Sequence, residues 1–439
     1  PLARAFIPAQ TLDGGTVRIR VVEARYDQVR ADNHSRVSDS LVGATLAPLH
    51  SGEVVKRSTL DRSLLLLGQL PGASPQATLS PGTSPGTSSL DVAVAATPTV
   101  QGSVSLDDGG TRYTGSMRAG ASLGINEPLR HGDQLNLDAM TAGHGMEYGR
   151  LGYQFTLNGH GTRVGAAYSA LTYALAGPLR AIDASGTAGV GSAWVTQPLL
   201  RGQTSRVDFR LQVDRKQLRD EIGSATLHND RHTDSATVSV VGQHTDNWAG
   251  GGTSSASLSI TQGTLHFDDA AAEAADAASA RTAGTFTHWN ASVSRLQNLA
   301  AGTRLYASLS AQHGRDNLDS SEQFLLGGSD SVRGYGVASV AGDSGWIGTL
   351  ELRHDLNWGC AGLCVGSVFI DHGALRIDSD PWTSGPNHSH LSSAGVGFTW
   401  VGANQWQGQL QIARPIGNDP MLRGKQDDAR IWVWLLKGF

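Results

Sequence analysis

The sequence contains no long hydrophobic run. The longest obvious one extends only from Leu64 to Leu67, whereas a membrane-spanning helix needs roughly 18 consecutive apolar residues. A bundle of membrane helices is therefore excluded. If the chain crosses a bilayer, it does so as a closed sheet, because only helices and closed barrels satisfy all their backbone hydrogen bonds in lipid.

Charged and sulfur-containing residues are also scarce. Of the 439 residues, 17% are charged and 39% are hydrophobic, both below the averages of soluble proteins, and only 4 are methionine. The net charge of -5 and the pI near 6.3 give no indication of nucleic-acid binding. Glycine, in contrast, is abundant with 55 residues, and many Ser, Thr, Ala and Gln accompany it. This composition favours many strands joined by turns over a helical core.

Cysteine occurs only twice, as Cys360 and Cys364. Their position between two strand patterns permits a disulfide in a tight loop, which an oxidising periplasm would maintain. A zinc site would need two further ligands nearby, and no His or Cys pair flanks this turn at a suitable spacing. We therefore interpret the pair as a disulfide and not as a metal site.

Two other patterns imitate the chemistry of enzymes or metal sites. Residues 82–86 match the Gly-x-Ser-x-Gly nucleophile elbow, but the backbone N–H that should follow the serine is missing at Pro85. Exposed polar loops also produce metal-like groupings by chance. The one grouping of this kind comprises Asp378, Asp380, His388 and His390. We expect no enzyme activity, no metal and no cofactor.

The first hundred residues predict a small α+β domain. Residues 24–96 show the order strand, helix, helix, strand, strand, and the turn-rich residues 81–87 join the last two strands. Residues 16–23 alternate like a half-buried strand, with residues 2–7 as a hairpin partner. No charged and apolar leader precedes them, so we expect that a signal peptide has been removed and that a further piece lies upstream.

From residue 97 to residue 439, one strand pattern follows another. Near the C-terminus, glutamines alternate with apolar residues: Gln405, Gln407, Gln409 and Gln411 against Trp406, Gly408, Leu410 and Ile412. A soluble two-layer sheet could produce one such strand. A polar face repeated over many strands instead indicates a solvated interior, with lipid outside. Strand patterns and turns predict about sixteen antiparallel strands. An interfacial aromatic belt is expected from Trp346, Trp400, Trp406 and Trp432.

The most distinctive stretch is glycine-rich and lies between two strand patterns. Its centre is Val332-Arg333-Gly334-Tyr335, and residues 324–328 (Phe-Leu-Leu-Gly-Gly) precede it. This motif is similar to the signature of the TpsB outer-membrane transporters of two-partner secretion, in the superfamily that also includes the barrel-assembly insertases. Residues 64–72 and 80–94 resemble the membrane-proximal POTRA domain of the same family. Nearly the whole chain fits the resemblance.

The resemblance implies a fold and a set of site residues. Residues 1–23 would be the remnant of a first POTRA domain, 24–96 a POTRA domain and 97–439 a transmembrane β-barrel, with loop 317–345 folded inward. In the family, the loop arginine meets an aspartate in a Phe-x-Asp-x-Gly motif on the barrel wall. The matching residues here are Phe369, Asp371 and Gly373. A small charge network is expected around the loop tip from Glu351, Arg353 and Asp355.

The resemblance also implies a function. The protein would lie in the outer membrane of a Gram-negative bacterium, in contact with its lipid, and we expect a monomer. Its POTRA domain would recognise an unfolded secreted partner of the TpsA type in the periplasm, and the barrel pore would export it. An alternative is an insertase for outer-membrane barrels, which shares the Arg-Gly-Tyr loop. A third hypothesis, an enzyme with a barrel anchor, lacks a catalytic constellation in this sequence.

Overall fold

The computed structural model describes residues 2–11, 14–225, 227–356, 359, 361–417, 422 and 428–439. Its first part contains β1 (Ala3–Phe6), β2 (Arg20–Glu23), β3 (Arg25–Asn33), α1 (Asp39–Leu46), α2 (Arg57–Leu67), β4 (Ala73–Pro81) and β5 (Thr87–Ala96). The remaining strands are β6 (Val100–Asp107), β7 (Arg118–Asn126), β8 (Gln134–Thr141), β9 (Met146–Thr156), β10 (Arg163–Ala174), β11 (Ala184–Arg201), β12 (Ser205–Ile222), β13 (Leu227–Asp246), β14 (Gly252–Phe267), β15 (Gly284–Ala300), β16 (Thr303–Gly314), β17 (Phe324–Leu326), β18 (Val340–Gly342), β19 (Ser344–Leu356), β20 (Leu363–Arg376), β21 (His388–Val401), β22 (Trp406–Pro415) and β23 (Arg430–Gly438). The helix α3 (Ala270–Ala277) lies between β14 and β15, and short 3-10 turns occupy Gly143–Gly145, Gly177–Ile182, Gly223–Ala225, Trp248–Gly250 and Ala403–Gln405.

Residues 24–96 form a three-stranded sheet covered by two helices. The strand order is β3-β5-β4, with β3 parallel and β4 antiparallel to the central β5. In β5, Leu90, Val92 and Val94 are buried while Asp91 between them is exposed, because alternate side chains of a strand point to opposite faces. The observed element order is the predicted one. The assignment of this unit as a POTRA domain stays a prediction.

The hairpin ahead of this unit is shorter than predicted on one side. The alternation suggested a strand over residues 16–23, but β2 begins at Arg20 and pairs antiparallel with β1. Both strands are largely exposed along their length, and the alternating residues 17 and 19 lie outside the paired part. Alternation alone does not tell where cross-strand hydrogen bonds begin, since those depend on the partner strand.

The rest of the chain closes into a sixteen-stranded antiparallel barrel, as predicted. Strands follow one another around the barrel in chain order, and β23 pairs with β6 to close it. On β20, Val368 and Ile370 are about half exposed, whereas Phe369 and Asp371 are buried. On this strand the apolar residues Val368 and Ile370 therefore face outward, while Asp371 and Phe369 face the lumen. No helix within the described residues is long and apolar enough to cross a membrane.

One tryptophan departs from the predicted belt. Trp346 and Trp406 are exposed on the outside of the barrel, but Trp432 is only 5% exposed. Its neighbours Ile431 and Val433 point outward, so Trp432 points into the lumen. The prediction that Trp432 belongs to an interfacial belt is wrong, because position along a strand was considered without the face that the side chain occupies.

The chain between β16 and β19 folds into the lumen. Strands β17 and β18 form a small ladder there, from Phe324 opposite Gly342 to Leu326 opposite Val340. An apolar cluster packs this loop against the barrel wall; its buried members are Leu326, Val332, Tyr335, Leu375 and Leu391. The inward-folded loop is thus a packed part of the structure with its own small core.

Candidate functional site: a loop anchored to the lumen wall

The loop turns sharply at two glycines. Gly327 and Gly328 have φ values of 102° and 117°, a region that residues with a side chain rarely adopt. A Cβ on Gly327 would lie 2.2 Å from the carbonyl oxygen of Gly336 on the returning chain. Backbone hydrogen bonds then close the turn, among them Gly328 N to Tyr335 O at 3.1 Å. The tip, residues 327–336, is therefore compact and holds Arg333 in a defined position.

Arg333 meets Asp371 on the wall of β20 through two parallel hydrogen bonds. Its Nε donates to Oδ2 at 2.9 Å and its Nη2 to Oδ1 at 2.8 Å, and the backbone N–H of Arg333 also donates to Oδ2 at 3.2 Å. Asp371 has no exposed surface and Arg333 is 5% exposed. The planar guanidinium fixes orientation as well as distance, which a lysine ammonium cannot do.

Glu351 on β19 takes up the remaining side of the guanidinium. Nη1 of Arg333 donates to Oε2 of Glu351 at 2.8 Å, and Nε of Arg353 donates to Oε1 at 2.9 Å. The guanidinium carbon of Arg333 also lies 3.2 Å from the ring centroid of Phe369. Two cations thus face two carboxylates, and the arginine plane is covered by an aromatic ring. Charge is balanced within the site, as burial requires.

Three further residues complete the site. Thr349 Oγ1 and Ser393 Oγ each donate to Asp371 at 3.0 Å, and Trp432 Nε1 donates to the carbonyl oxygen of Arg333 at 2.7 Å. Asp371 therefore accepts five hydrogen bonds. Thr349 and Ser393 are the residues directly opposite Asp371 on β19 and β21. The site draws on four wall strands, β19, β20, β21 and β23.

Comparison with known proteins places the chain in a family. Residues 86–400 match the model of the haemolysin secretion/activation protein family ShlB/FhaC/HecB. The chain belongs to this family. The heme/hemopexin transporter protein HuxB of Haemophilus influenzae (strain 86-028NP) is 25% identical over 443 residues, which cover 100% of this chain and 78% of HuxB. Members of the family are outer-membrane transporters of two-partner secretion, and this chain is accordingly a Gram-negative outer-membrane protein.

Solved structures share the fold. CdiB from Escherichia coli matches with a TM-score of 0.80 at 21% identity, covering 100% of this chain and 80% of that one. BamA from Haemophilus ducreyi, in a form lacking POTRA domains 1–3, matches with a TM-score of 0.62 at 13% identity, covering 100% of this chain and 90% of BamA. Both likenesses concern the architecture alone.

Asp355 does not belong to the charge network that was expected around the loop tip. It pairs with Arg304 on β16 and accepts no bond from Arg333 or Arg353 within the described residues. Asp355 shares a face with Glu351, but four residues along a strand correspond to about 13 Å. It lies close to the turn at Gly302, at the far end of β19 from the start of the loop. The prediction that Asp355 shares a face with Glu351 is confirmed, but the prediction that it lies near the loop tip is wrong.

Gly334 and Gly373 each allow a close approach between the loop and the barrel wall, but at different parts of the loop. A Cβ on Gly334 would lie 2.7 Å from the Cβ of Ser393, so this glycine brings the tip onto β21. A Cβ on Gly373 would lie 2.8 Å from Cδ2 of Leu326, so this glycine admits the base of the loop. Gly373 thus accommodates β17 and makes no contact of this kind with the arginine.

The remaining sequence candidates lie away from the loop tip. Cys364 is disulfide-bonded, while Cys360 lies outside the described residues, so the pairing of the two stays a prediction. Asp380 pairs with Arg281 at 2.6 Å and its backbone N–H donates to Asn317 at 2.7 Å. Asp380 therefore joins surface loops to one another.

Proposed function

We propose that this protein moves a secreted partner protein of the TpsA type across the outer membrane through its barrel. Membership of the family and the similarity to HuxB along the whole chain support this function. The observation that carries it is the loop itself, because a segment anchored by ion pairs occupies the lumen of the barrel. The loop is held by these ion pairs and by a small apolar cluster, and such a segment can be released as a unit while the barrel strands stay in place.

The unit at residues 24–96 is proposed to receive the partner in the periplasm. Its sheet ends in the edge strand β3 on one side and the edge strand β4 on the other, and residues 52–55 pair with the start of β3. An unfolded chain can add to such an edge as a further strand, with affinity supplied mainly by backbone hydrogen bonds. The unit lies at the barrel end where Arg62 donates to the carbonyl oxygens of Pro198 and Leu199.

Export needs no nucleotide in this proposal. A partner that folds outside the cell removes the extended chain from the exit side, and this shifts the equilibrium outward. The barrel then has to provide a solvated path, and the inward-folded loop has to move out of that path.

The function is tested by deleting the gene and assaying the culture supernatant for a large exoprotein encoded next to it. We expect the exoprotein to disappear from the supernatant and to return when the wild-type gene is supplied. An unchanged supernatant would contradict the proposal. The same strain distinguishes the alternative function as an insertase, for which the BamA-like architecture is the supporting observation. If the protein is an insertase, the deletion lowers the amounts of other outer-membrane barrels, and the exoprotein disappears only as a consequence of that.

A further inference from the structure

The loop has a second attachment, on strands other than those that hold its tip. Residues 315–323, here called the crossing segment, leave β16 and reach the inner face of β12, β13 and β15. The tip, in contrast, reaches β19, β20, β21 and β23. The crossing segment carries three carboxylates. Asp316 is exposed and accepts a hydrogen bond from the backbone N–H of Thr287 at 3.1 Å, whereas the other two, Asp319 and Glu322, lie three residues apart and point to the wall. Both are buried against the wall.

Arg231 on β13 holds the first of these carboxylates. Its side chain is 6% exposed, and its Nε donates to Asp319 Oδ2 at 2.7 Å. Its Nη1 donates to Asp220 on the neighbouring β12 at 2.6 Å, and its Nη2 to the hydroxyl of Ser320 at 3.4 Å. One guanidinium therefore joins a wall carboxylate to a carboxylate of the crossing segment.

Lys216 and His288 hold the second carboxylate. Nζ of Lys216 donates to Glu322 Oε1 at 2.6 Å, and Nε2 of His288 lies 3.4 Å from Oε2 of the same residue. On β12, side chains at odd positions such as Leu211 and Val213 are exposed on the outside of the barrel. Lys216 is at an even position and therefore lies on the inner face. These contacts, like those of Arg231, lie toward the barrel end opposite the N-terminal unit.

The balance of charge on this wall depends on the crossing segment. With the segment in place, Lys216 and Arg231 face three carboxylates, those of Asp220, Asp319 and Glu322. When the segment leaves, Asp220 alone opposes two cations. Departure of the segment also opens these cations to the water of the lumen, and the vacated wall then attracts a chain that supplies carboxylates in place of Asp319 and Glu322 through charge complementarity.

We propose that Lys216, Arg231 and His288 form a carboxylate-binding site for the polypeptide in transit, and that Asp319 and Glu322 are its occupants in the resting state. An acidic stretch of an extended chain exchanges with the crossing segment, so the wall cations are never left without partners. This inference rests on the proposed function, since it requires a polypeptide in the lumen. The ligand class is an extended chain with carboxylate side chains.

The site is tested by peptide binding to the purified protein in detergent. The probe is a short fluorescent Gly-Ser peptide with glutamate at every third position, and the control peptide carries glutamine instead. Removing the resident carboxylates with Asp319→Asn and Glu322→Gln should tighten binding of the acidic peptide about tenfold, since its competitor is gone. Adding Lys216→Gln and Arg231→Gln to that variant should reduce binding to the level of the glutamine peptide.

A matched control is available on the same strand. Arg215 adjoins Lys216 but lies on the outer face with Asp234, so Arg215→Gln should leave peptide binding unchanged. The folded state of each variant is checked by its heat-modifiable migration in gel electrophoresis. If the double variant does not fold, the single variants Asp319→Asn and Glu322→Gln are used in its place. Equal binding of the acidic peptide to all variants, or equal binding of both peptides, would overturn the site. Because the assay uses no natural partner, its failure leaves the secretion test of the proposed function unaffected.

Discussion

At the scale of single residues, Asp371 is the most heavily hydrogen-bonded group of the site. It accepts three bonds from Arg333 and one each from Thr349 and Ser393. Such a carboxylate acts as the fixed point to which the loop is attached. Removing one partner of a buried ion pair costs about 3 to 5 kcal/mol, and water in the lumen reduces this. The expected consequence is a loosened loop in an intact barrel.

Exchanging the charges tests this attachment. Arg333→Asp and Asp371→Arg alone should each lower secretion and raise hydrogen exchange across residues 327–336. The combined exchange should recover only part of the loss, because the carboxylate introduced at position 333 then faces Glu351, now bonded to Arg333 at 2.8 Å. Adding Glu351→Gln removes that repulsion and should recover more. A combined variant no better than either single one would contradict the contact.

Trp432 joins the tip to β23 through one hydrogen bond and a buried ring. Trp432→Phe deletes the Nε1 donor to the carbonyl oxygen of Arg333 and also part of the buried ring, so we expect the tip to be destabilised by more than the roughly 1 kcal/mol of the hydrogen bond alone. Faster hydrogen exchange at residues 327–336 is the measurement. Trp406→Phe is the matched control, since Trp406 is exposed on the outside, and it should leave exchange at the tip unchanged.

At the scale of elements, β20 is shaped to receive the base of the loop. Asp371 and Phe369 carry the arginine contacts, while Gly373 leaves room for Leu326 on β17. Gly373→Ala would place a Cβ 2.8 Å from Leu326 and 3.0 Å from the Trp346 carbonyl oxygen. Overpacking of this kind costs about 1 to 3 kcal/mol.

We therefore expect Gly373→Ala to displace the base of the loop. The change should appear as faster proteolysis within residues 315–343 of the folded barrel. Gly348→Ala on β19 is the control, because the nearest atom to its Cβ would be 3.6 Å away and an ordinary contact results. Equal proteolysis of the two variants would show that the close approach at Gly373 does not matter.

At the scale of the whole molecule, a buried carboxyl lies where the N-terminal unit joins the barrel. Glu127, in the turn between β7 and β8, has no exposed surface, and a Cβ on Gly72 would lie 2.6 Å from its Cγ. Burial first, and then the charge of Asp133, raise the pKa of Glu127 to about 7. Its ordinary value is 4.5, so the folded junction binds a proton more tightly than the unfolded chain does.

The sign of the pH dependence follows from this. The stabilisation from protonated Glu127 is fully present below pH 4.5 and is lost as the pH rises through about 7. Hydrogen exchange at residues 70–73 and 127–133 should therefore be slower at pH 5.5 than at pH 8, after correction for the intrinsic rate. Glu127→Gln should remove most of this difference. A difference that persists in the variant would assign it to another group.

Local patterns determined much of this protein without the structure. Alternation with a period of two predicted the inner and outer faces and a barrel of sixteen strands. The resemblance of the motifs around Arg333 and at Asp371 to those of the TpsB family implied which residues meet. Alternation around Ile431 and Val433 also contained the signal that Trp432 faces inward. Alternation is a local feature, because it depends on residues a few positions apart.

Only the tertiary structure decided the partners across strands. Thr349 and Ser393 join Asp371 through strand register, Asp355 falls too far along β19, and the crossing segment meets Lys216 and Arg231 about a hundred positions earlier in the chain. Register and loop path depend on contacts between distant segments, which no local period specifies. The sequence by itself determined which side chains face the lumen, and the closed barrel determined which of them meet.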